Sequence, residues 1–231
     1  MTTPSKNYSG ILARALSSIC DEQIIKDFCA KYQFDIKACY QNATEIAAPD
    51  KLLKAISEAE AEITEKSSHD INILSLFDYG KDIDKTYLYY QGDTNLFSLP
   101  TFTINISHAS NALAVRIEEV IDQIARKSTG NLAMIGGATS SFASCVHYHE
   151  CGRPVIMTTE QSLDNFKSNF ADLLIYGVRP SALYPSVITF DMVTRKGVHQ
   201  TIADVDGHSV NVTKLGPEKA AERIIELITE E

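Results

Sequence analysis

Apolar side chains recur at helical spacing in the middle of the chain, within the segment Leu113–Phe142. They fall at i, i+4, i+7, i+8 and i+11 on one face of a helix, and charged side chains occupy the other face. The apolar residues are Leu113, Ile117, Val120, Ile121 and Ile124. Lys127 and Gly130 then favour the end of a helix. The apolar run Leu132–Ile135 predicts a buried strand, and we expect the helix to pack against the sheet that contains it.

Two further helices are predicted before this central helix. The first is Ser17–Tyr32, which has acidic residues near its start and apolar residues on one side. The second begins near Pro49, a residue suited to the first position of a helix, and carries glutamates opposite its apolar side. Thr86–Tyr90 is a predicted strand, and Gly92–Pro100 is a predicted irregular connection.

Short elements alternate after the central helix. Ala138–His147 is a predicted helix, and Asp206-Gly207 is a predicted hairpin turn. The predicted strands are Pro154–Thr158, Ala171–Tyr176, Val187–Thr194, Val198–Val205 and Ser209–Leu215. A last helix follows Gly216-Pro217. Long helices followed by a mixed or antiparallel sheet indicate the α+β class.

Composition restricts the function further. The chain has 231 residues, of which 44% are hydrophobic, and a formal net charge of −9. This acidic balance argues against nonspecific binding to nucleic acid or to an anionic membrane, since both require a basic surface. No apolar stretch approaches the roughly 20 residues of a membrane span. Five cysteines without a signal peptide indicate free thiols in a reducing compartment.

The segment Cys145–Cys151 carries four potential metal ligands at alternating positions: Cys145, His147, His149 and Cys151. As a strand, it would spread them over about 20 Å, too far for one ion. As a loop, it still lacks the C-x-x-C pair of structural zinc sites. We therefore expect no stoichiometric metal here, and a plain turn or a subunit contact instead.

The run Ile135–Ser141 contains two glycines between a predicted strand and a predicted helix. Such a turn leaves backbone N–H groups free for a phosphate, but the G-x-G-x-x-G order and the P-loop lysine are missing. The favoured interpretation is a tight turn capped by Thr139 or Ser140. A nucleophile and base built from Ser140, Ser141 or Cys145 beside His147 lacks the G-x-S-x-G elbow. We predict no catalytic residue and no cofactor.

Several motifs occur in a characteristic order along the chain. They are Ala13–Leu16 with Glu22–Asp27 and Phe34–Asp35; Leu52–Glu58 with Glu62–Ile63 and Asp70–Ile71; Ile117–Glu118 with Ile124–Arg126 and Gly130–Asn131; and, more weakly, Leu173–Gly177, Leu183–Pro185 and Met192–Arg195. This order resembles the major head proteins of T-even-type tailed bacteriophages, which have the HK97-like capsid fold. The resemblance implies a helical, peripheral domain in residues 1–112, and a central helix and axial-type region with a C-terminal hairpin and helix in 113–231. One continuous domain is the alternative.

The resemblance also implies a function. We expect a structural subunit of a bacteriophage head, made in the host cytoplasm and placed in the virion. Its partners would be copies of itself or other head proteins, without sequence-specific nucleic acid or membrane binding. The family's N-terminal arm and extended hairpin have no counterpart here, so a companion capsid protein is expected to supply them. The final helix, Pro217–Glu231, has no place in the family pattern. The candidate subunit interface consists of His147, His149, Arg153 and Arg179.

Two other classes of function stay open at this point. One is a small α/β hydrolase or transferase that uses the Gly136-Gly137 turn and the Cys145–Cys151 segment. The other is a soluble phage-encoded adaptor or inhibitor that binds a single partner. The resemblance favours a protein that is not an enzyme.

Overall fold

The chain forms two compact units in a computed structural model, residues 1–91 and 92–231. The structure describes residues 7–79, 85–105, 111–128, 132–137, 142–159, 170–177, 188–191, 202–203, 209–210 and 215–229. The division falls before the predicted one at residues 112 and 113. The strand Thr101–Asn105 belongs to the second unit because it pairs with two strands of that unit.

The first unit consists mainly of helices. In chain order its helices are α1 (Tyr8–Ile19), α2 (Glu22–Lys31), α3 (Ile36–Asn42), α4 (Pro49–Ser67) and α5 (Leu76–Tyr79), with a 3-10 turn at Ala43–Glu45. Strand β1 (Asn72–Ser75) pairs antiparallel with β2 (Tyr87–Gly92). Leu16, Ile25 and Phe28 are among the buried residues that join the helices into one core.

The predicted helix Ser17–Tyr32 is wrong, because the chain leaves the helical conformation at Cys20 and Asp21. The Asp21 side chain accepts a hydrogen bond from the backbone N–H of Gln23 at 2.9 Å and so caps a new helix, α2. The acidic residues therefore mark a second helix start. The predicted helix beginning at Pro49 is confirmed as α4, whose buried residues include Leu52, Ala59 and Ile63.

The second unit alternates strands and helices. Its strands are β3 (Thr101–Asn105), β4 (Ala133–Gly137), β5 (Val155–Thr159), β6 (Leu173–Tyr176), β7 (Ile188–Asp191), β8 (Ile202–Ala203) and β9 (Ser209–Val210). Its helices are α6 (Asn111–Lys127), α7 (Phe142–Glu150) and α8 (Pro217–Thr229), with a 3-10 segment at Thr94–Ser98. The α+β class is therefore confirmed.

Five of these strands form a parallel arrangement in the order β6-β5-β4-β3-β7. The pairs include Phe102 with Met134, Gly137 with Thr158, and Asn105 with Asp191. Helix α6 connects β3 to β4, and α7 connects β4 to β5. Parallel neighbours joined by a helix are βαβ units, which bury both faces of a strand. The burial of all five residues of β5 agrees with this.

Burial of the predicted stripe on the central helix is confirmed. Ile117, Val120, Ile121 and Ile124 are at most 2% exposed, and the Leu113 side chain lies outside the described residues. Helix α6 packs against α7 and α8. Lys127 at its end contacts Glu222 of α8 at 2.5 Å. The C-terminal helix is therefore part of the second unit's packing.

The late strands agree in part with the sequence pattern. Strand β7 lies within the predicted segment Val187–Thr194. Strands β8 and β9 pair antiparallel, Ile202 with Val210 and Ala203 with Ser209, as predicted for a hairpin. The turn residues Asp206 and Gly207 lie outside the described residues. Among the helices that the structure describes, none has the length and apolar character needed to cross a membrane.

Candidate functional site

The carboxyl ends of the parallel strands form one edge of the second unit. Strands β3, β4 and β7 end at Asn105, Gly137 and Asp191, and β5 and β6 end at Thr159 and Tyr176. Along the chain, β4, β5 and β6 are added on one side of β3, whereas β7 returns to its other side. The strand order therefore reverses between β3 and β7. In open α/β sheets, ligands bind outside the carboxyl ends of the strands at such a reversal.

Two helices start from this edge. Helix α6 follows β3 and helix α7 follows β4, so both run back along the sheet and have their N-terminal ends at the carboxyl edge. Helix N-termini carry unpaired N–H groups and a partial positive charge, which favour anions. Gly136 and Gly137 end the strand before α7, and residues 138–141 lie outside the described residues.

Buried threonines stabilise the same edge. Thr158 is fully buried, and its hydroxyl donates a hydrogen bond to the carbonyl of Gly136 at 3.4 Å. The N–H of Gly177 donates to the carbonyl of Thr159 at 2.6 Å, which holds the ends of β5 and β6 together. These hydrogen bonds connect the carboxyl ends of β4, β5 and β6 to one another.

Helix α7 is fixed to the sheet through Tyr148. This side chain is fully buried, and its hydroxyl donates to the carbonyl of Leu132 at 3.0 Å. Its ring lies 5.5 Å from that of Phe102, in an edge-to-face arrangement. These contacts set the position of α7 relative to β3 and β4.

The segment Cys145–Cys151 lies on helix α7 and its last turn, so the treatment of this segment as a strand or a loop is wrong. Val146 and Tyr148 alternate with polar residues, a pattern that also suits a strand, but both residues belong to helix α7. Cys145 is buried, which raises the pKa of its thiol to about 12. A thiol with this pKa is protonated near neutral pH and is a poor nucleophile. The alternative nucleophiles Ser140 and Ser141 lie outside the described residues.

The helix places His147 and Cys151 on one face, next to Asp122 of α6. His147 Nε2 lies 3.0 Å from Asp122 Oδ1, and the Cys151 thiol donates to the same oxygen at 3.5 Å. All three residues are partly buried, and their ligand-type atoms lie within 4.8 Å of one another. Burial, together with the hydrogen bond to Asp122, raises the pKa of Cys151.

Two residues of the expected subunit interface, His147 and His149, contact different carboxylates. His149 Nδ1 lies 3.5 Å from Asp172 Oδ2, the residue that precedes β6. The Nε atom of Arg153 is buried and has no hydrogen-bond partner among the described residues. Arg179 lies outside them. A subunit contact through His147, His149 and Arg153 stays a prediction.

Two features of the second unit were not predicted from the sequence, strand β3 and the position of Asp122. Strand β3 lies after a segment that we interpreted as an irregular connection, although the alternation in Thr101–Asn105 is a strand signal. Asp122 belongs to the polar face of α6, and its proximity to His147 depends on how α6 packs on α7. The four-residue spacing of His147 and Cys151 could have indicated a shared helical face.

Comparison with known proteins shows a similarity in fold to one solved structure. No protein family and no curated protein matches the chain. Among solved structures, the X-ray structure of DNA processing protein A (DprA) from Streptococcus pneumoniae matches with a TM-score of 0.50 and 17% sequence identity. The match covers 75% of this chain and 68% of that chain. At this identity the likeness concerns the fold alone.

This likeness overturns the capsid interpretation. The HK97-like assignment, the role as a head subunit, the capsid partners and the virion location are wrong, because the fold is shared with a DNA processing protein. The expected absence of a nucleic-acid partner is overturned by the same comparison. The motifs do not distinguish the two folds, because amphipathic stripes followed by a glycine and an apolar strand are also typical of helices that return to a parallel sheet. The chain is similar in fold to DNA processing protein A.

Proposed function

We propose that the protein binds a nucleotide-type ligand, with its phosphate at the carboxyl edge of the parallel sheet. The observation that carries this proposal is the reversal of strand order between β3 and β7, with the N-termini of α6 and α7 at the same edge. Gly136 and Gly137 lie at the end of β4, and a strand end without side chains permits a close approach of the ligand to the backbone.

Two ligands carry such a nucleoside phosphate, a free nucleotide and a single-stranded DNA chain. The likeness to DNA processing protein A favours DNA. The net charge of −9 disfavours tight binding through many phosphates, since that requires a basic surface. Both ligands would place a nucleoside phosphate at the carboxyl edge of the sheet. They differ in the number of phosphates that the protein contacts.

Binding measurements with matched variants test this proposal. Isothermal titration with a panel of mononucleotides and a short single-stranded DNA distinguishes the two ligands. Gly137→Asp places a negative charge at the edge and should weaken binding by about fivefold or more, because like charges at about 4 Å repel by roughly 1 kcal/mol even in water.

Gly152→Asp is the matched control. Gly152 follows α7 at the opposite end of that helix, and an added Cβ there meets no atom within 4 Å. Aspartate is among the residue types that tolerate its positive φ of 72°. Normal binding by this variant and weak binding by Gly137→Asp support the proposal. Equal binding by both variants, or no binding of any nucleotide or DNA, contradicts it.

We also propose that the protein binds this ligand without catalysing a reaction, as expected from the sequence. The buried, protonated state of Cys145 supports this proposal, because it removes the thiol candidate for a nucleophile on α7. Incubation of bound nucleotides or DNA with the purified protein should return them unchanged. A product that accumulates in proportion to the protein concentration contradicts this proposal and leaves the binding proposal intact.

A further inference from the structure

The packing of α6 against α7 brings together three side chains of the types that bind transition metals. Imidazole, thiolate and carboxylate are the nitrogen, sulfur and oxygen ligands of zinc sites. They are supplied by His147, Cys151 and Asp122, whose ligand-type atoms all lie within 4.8 Å of one another. We propose, against the expectation from the sequence, that these residues bind one divalent first-row transition metal ion, of which Zn²⁺ fits the donor set best.

The distances are close to those of a tetrahedral site. Bond lengths of about 2.0–2.3 Å place the ligand atoms of such a site about 3.3–3.8 Å apart. The His147–Asp122 and Cys151–Asp122 separations are 3.0 and 3.5 Å. Small rotations of three partly buried side chains are therefore enough to enclose an ion.

The backbone also favours the site. The N–H of Cys151 donates to the carbonyl of His147 at 3.1 Å, which continues the helical pattern of α7 by one residue. The two ligands are thereby fixed at i and i+4 on one helical face, a spacing that suits two ligands of one metal. Asp122 is supplied by a separate helix, so an ion would crosslink α6 to the end of α7.

A catalytic triad is a poorer interpretation of the same residues. In a cysteine–histidine–aspartate triad, the histidine lies between the thiol and the carboxylate. Here Asp122 Oδ1 lies between His147 and Cys151 and contacts both.

Three protein ligands leave the fourth coordination position of a tetrahedral ion for water.

The site is distinct from the proposed nucleotide site. Asp122 is near the C-terminal end of α6, and His147 and Cys151 are at the C-terminal end of α7. These ends lie toward the amino ends of the strands, because crossover helices run antiparallel to the strands they connect. Failure of the metal proposal therefore leaves the nucleotide proposal unaffected.

Metal titration of the full chain tests the proposal. Protein purified without chelators should contain or bind about one equivalent of Zn²⁺, and Co²⁺ should give a thiolate-to-metal charge-transfer absorption. His147→Ala and Cys151→Ser should each weaken binding by about 100-fold or more, since even residues behind the ligands change affinity by about 10–100-fold. Cys151→Ser should also abolish the charge-transfer absorption.

The controls are His69→Ala and Cys20→Ser. His69 is exposed and Cys20 is half-buried, and both lie in the first unit. These variants should bind the metal as the unchanged protein does. Circular dichroism of all four variants excludes loss of folding as the cause of weaker binding. No stoichiometric binding, or binding that the ligand substitutions leave unchanged, overturns the proposal.

Discussion

Gly92 occupies a backbone conformation that only glycine adopts readily, with φ of +114°. A Cβ atom added here would lie 2.1 Å from the carbonyl oxygen of Asp172. That oxygen accepts the N–H of Asp93 at 2.9 Å, and the Asp172 carboxylate accepts the N–H of Val155 at 2.9 Å. Asp172 therefore joins the chain after β2 to the start of β5, and the absence of a side chain at Gly92 permits this junction.

Gly92→Ala should destabilise the protein by about 3 kcal/mol or more, because backbone strain and a clash with a backbone atom act together. Gly152→Ala is the control, since its φ is +72° but the added Cβ meets no atom within 4 Å. It should lose only the conformational part, about 1–2 kcal/mol. Denaturant unfolding of the two variants measures the difference. Equal losses would show that the junction with Asp172 does not depend on Gly92.

Glu62 is the acidic centre of a polar network in the first unit. Tyr89 donates to it at 2.7 Å and the Arg14 Nε donates at 3.0 Å. Burial alone raises the pKa of Glu62, but these hydrogen bonds outweigh burial and lower its pKa below the usual 4.5. A carboxylate with a lowered folded-state pKa contributes stability above its unfolded-state pKa and loses that contribution as the pH falls through the folded-state pKa.

Glu62→Gln should therefore destabilise the protein near neutral pH, and the difference from the unchanged protein should shrink as the pH falls below about 4. Urea unfolding at several pH values measures this. Glu58→Gln, on an exposed position of the same helix, is the control and should have little effect at any pH. A Glu62→Gln effect that stays constant down to pH 3 would contradict the stabilising role of the charge.

Helix α6 is the element whose packing the sequence predicted best. Ile121 and Ile124 are fully buried, whereas Val115 on the same helix is 54% exposed. Ile121→Ala should destabilise the protein by about 2–5 kcal/mol through loss of buried contacts and a residual cavity. Val115→Ala removes a β-branched side chain at an exposed position and should cost less than about 0.5 kcal/mol. Thermal unfolding distinguishes them, and equal effects would place the stripe outside the core.

The sequence predicted elements that have a long, regular pattern. The stripe of α6, the start of α4 at Pro49 and the pairing of β8 with β9 depend on local spacing and are confirmed. Short elements were less predictable, because the alternation around Tyr148 suits a strand and a helix equally well. The break at Asp21 was missed since apolar spacing continues across it.

The candidate sites were visible only in part. The glycines Gly136 and Gly137 left a phosphate turn open beside the favoured plain turn. Strand order, which no local pattern contains, places them on the strand next to the reversal. The cluster at Asp122 joins residues that are far apart in the chain and meet only when α6 packs on α7. The order of parallel strands and the contacts between helices are properties of the fold, so they could not be read from a single segment.

At the scale of the whole molecule, the net charge of −9 limits how the protein can hold a nucleic acid. Affinity for single-stranded DNA falls with salt in proportion to the number of phosphates neutralised, with a logarithmic slope of about −0.7 per phosphate. A ligand held at one edge by backbone groups contacts few phosphates. The slope should therefore be about −1 to −2. Titrations between low and moderate salt measure it, and a slope of about −5 or steeper would indicate an extended basic surface instead.

The most direct test of the central claim is the location of the bound nucleotide. Amide chemical shifts of the full chain, recorded with and without the tightest-binding nucleotide or DNA, report each backbone position separately. The account predicts the largest changes at the carboxyl ends of the strands nearest the reversal, at Asn105 and Gly137, and small changes at the amino ends, at Ala133 and Val155. Changes confined to the first unit or to the amino ends of the strands would contradict it.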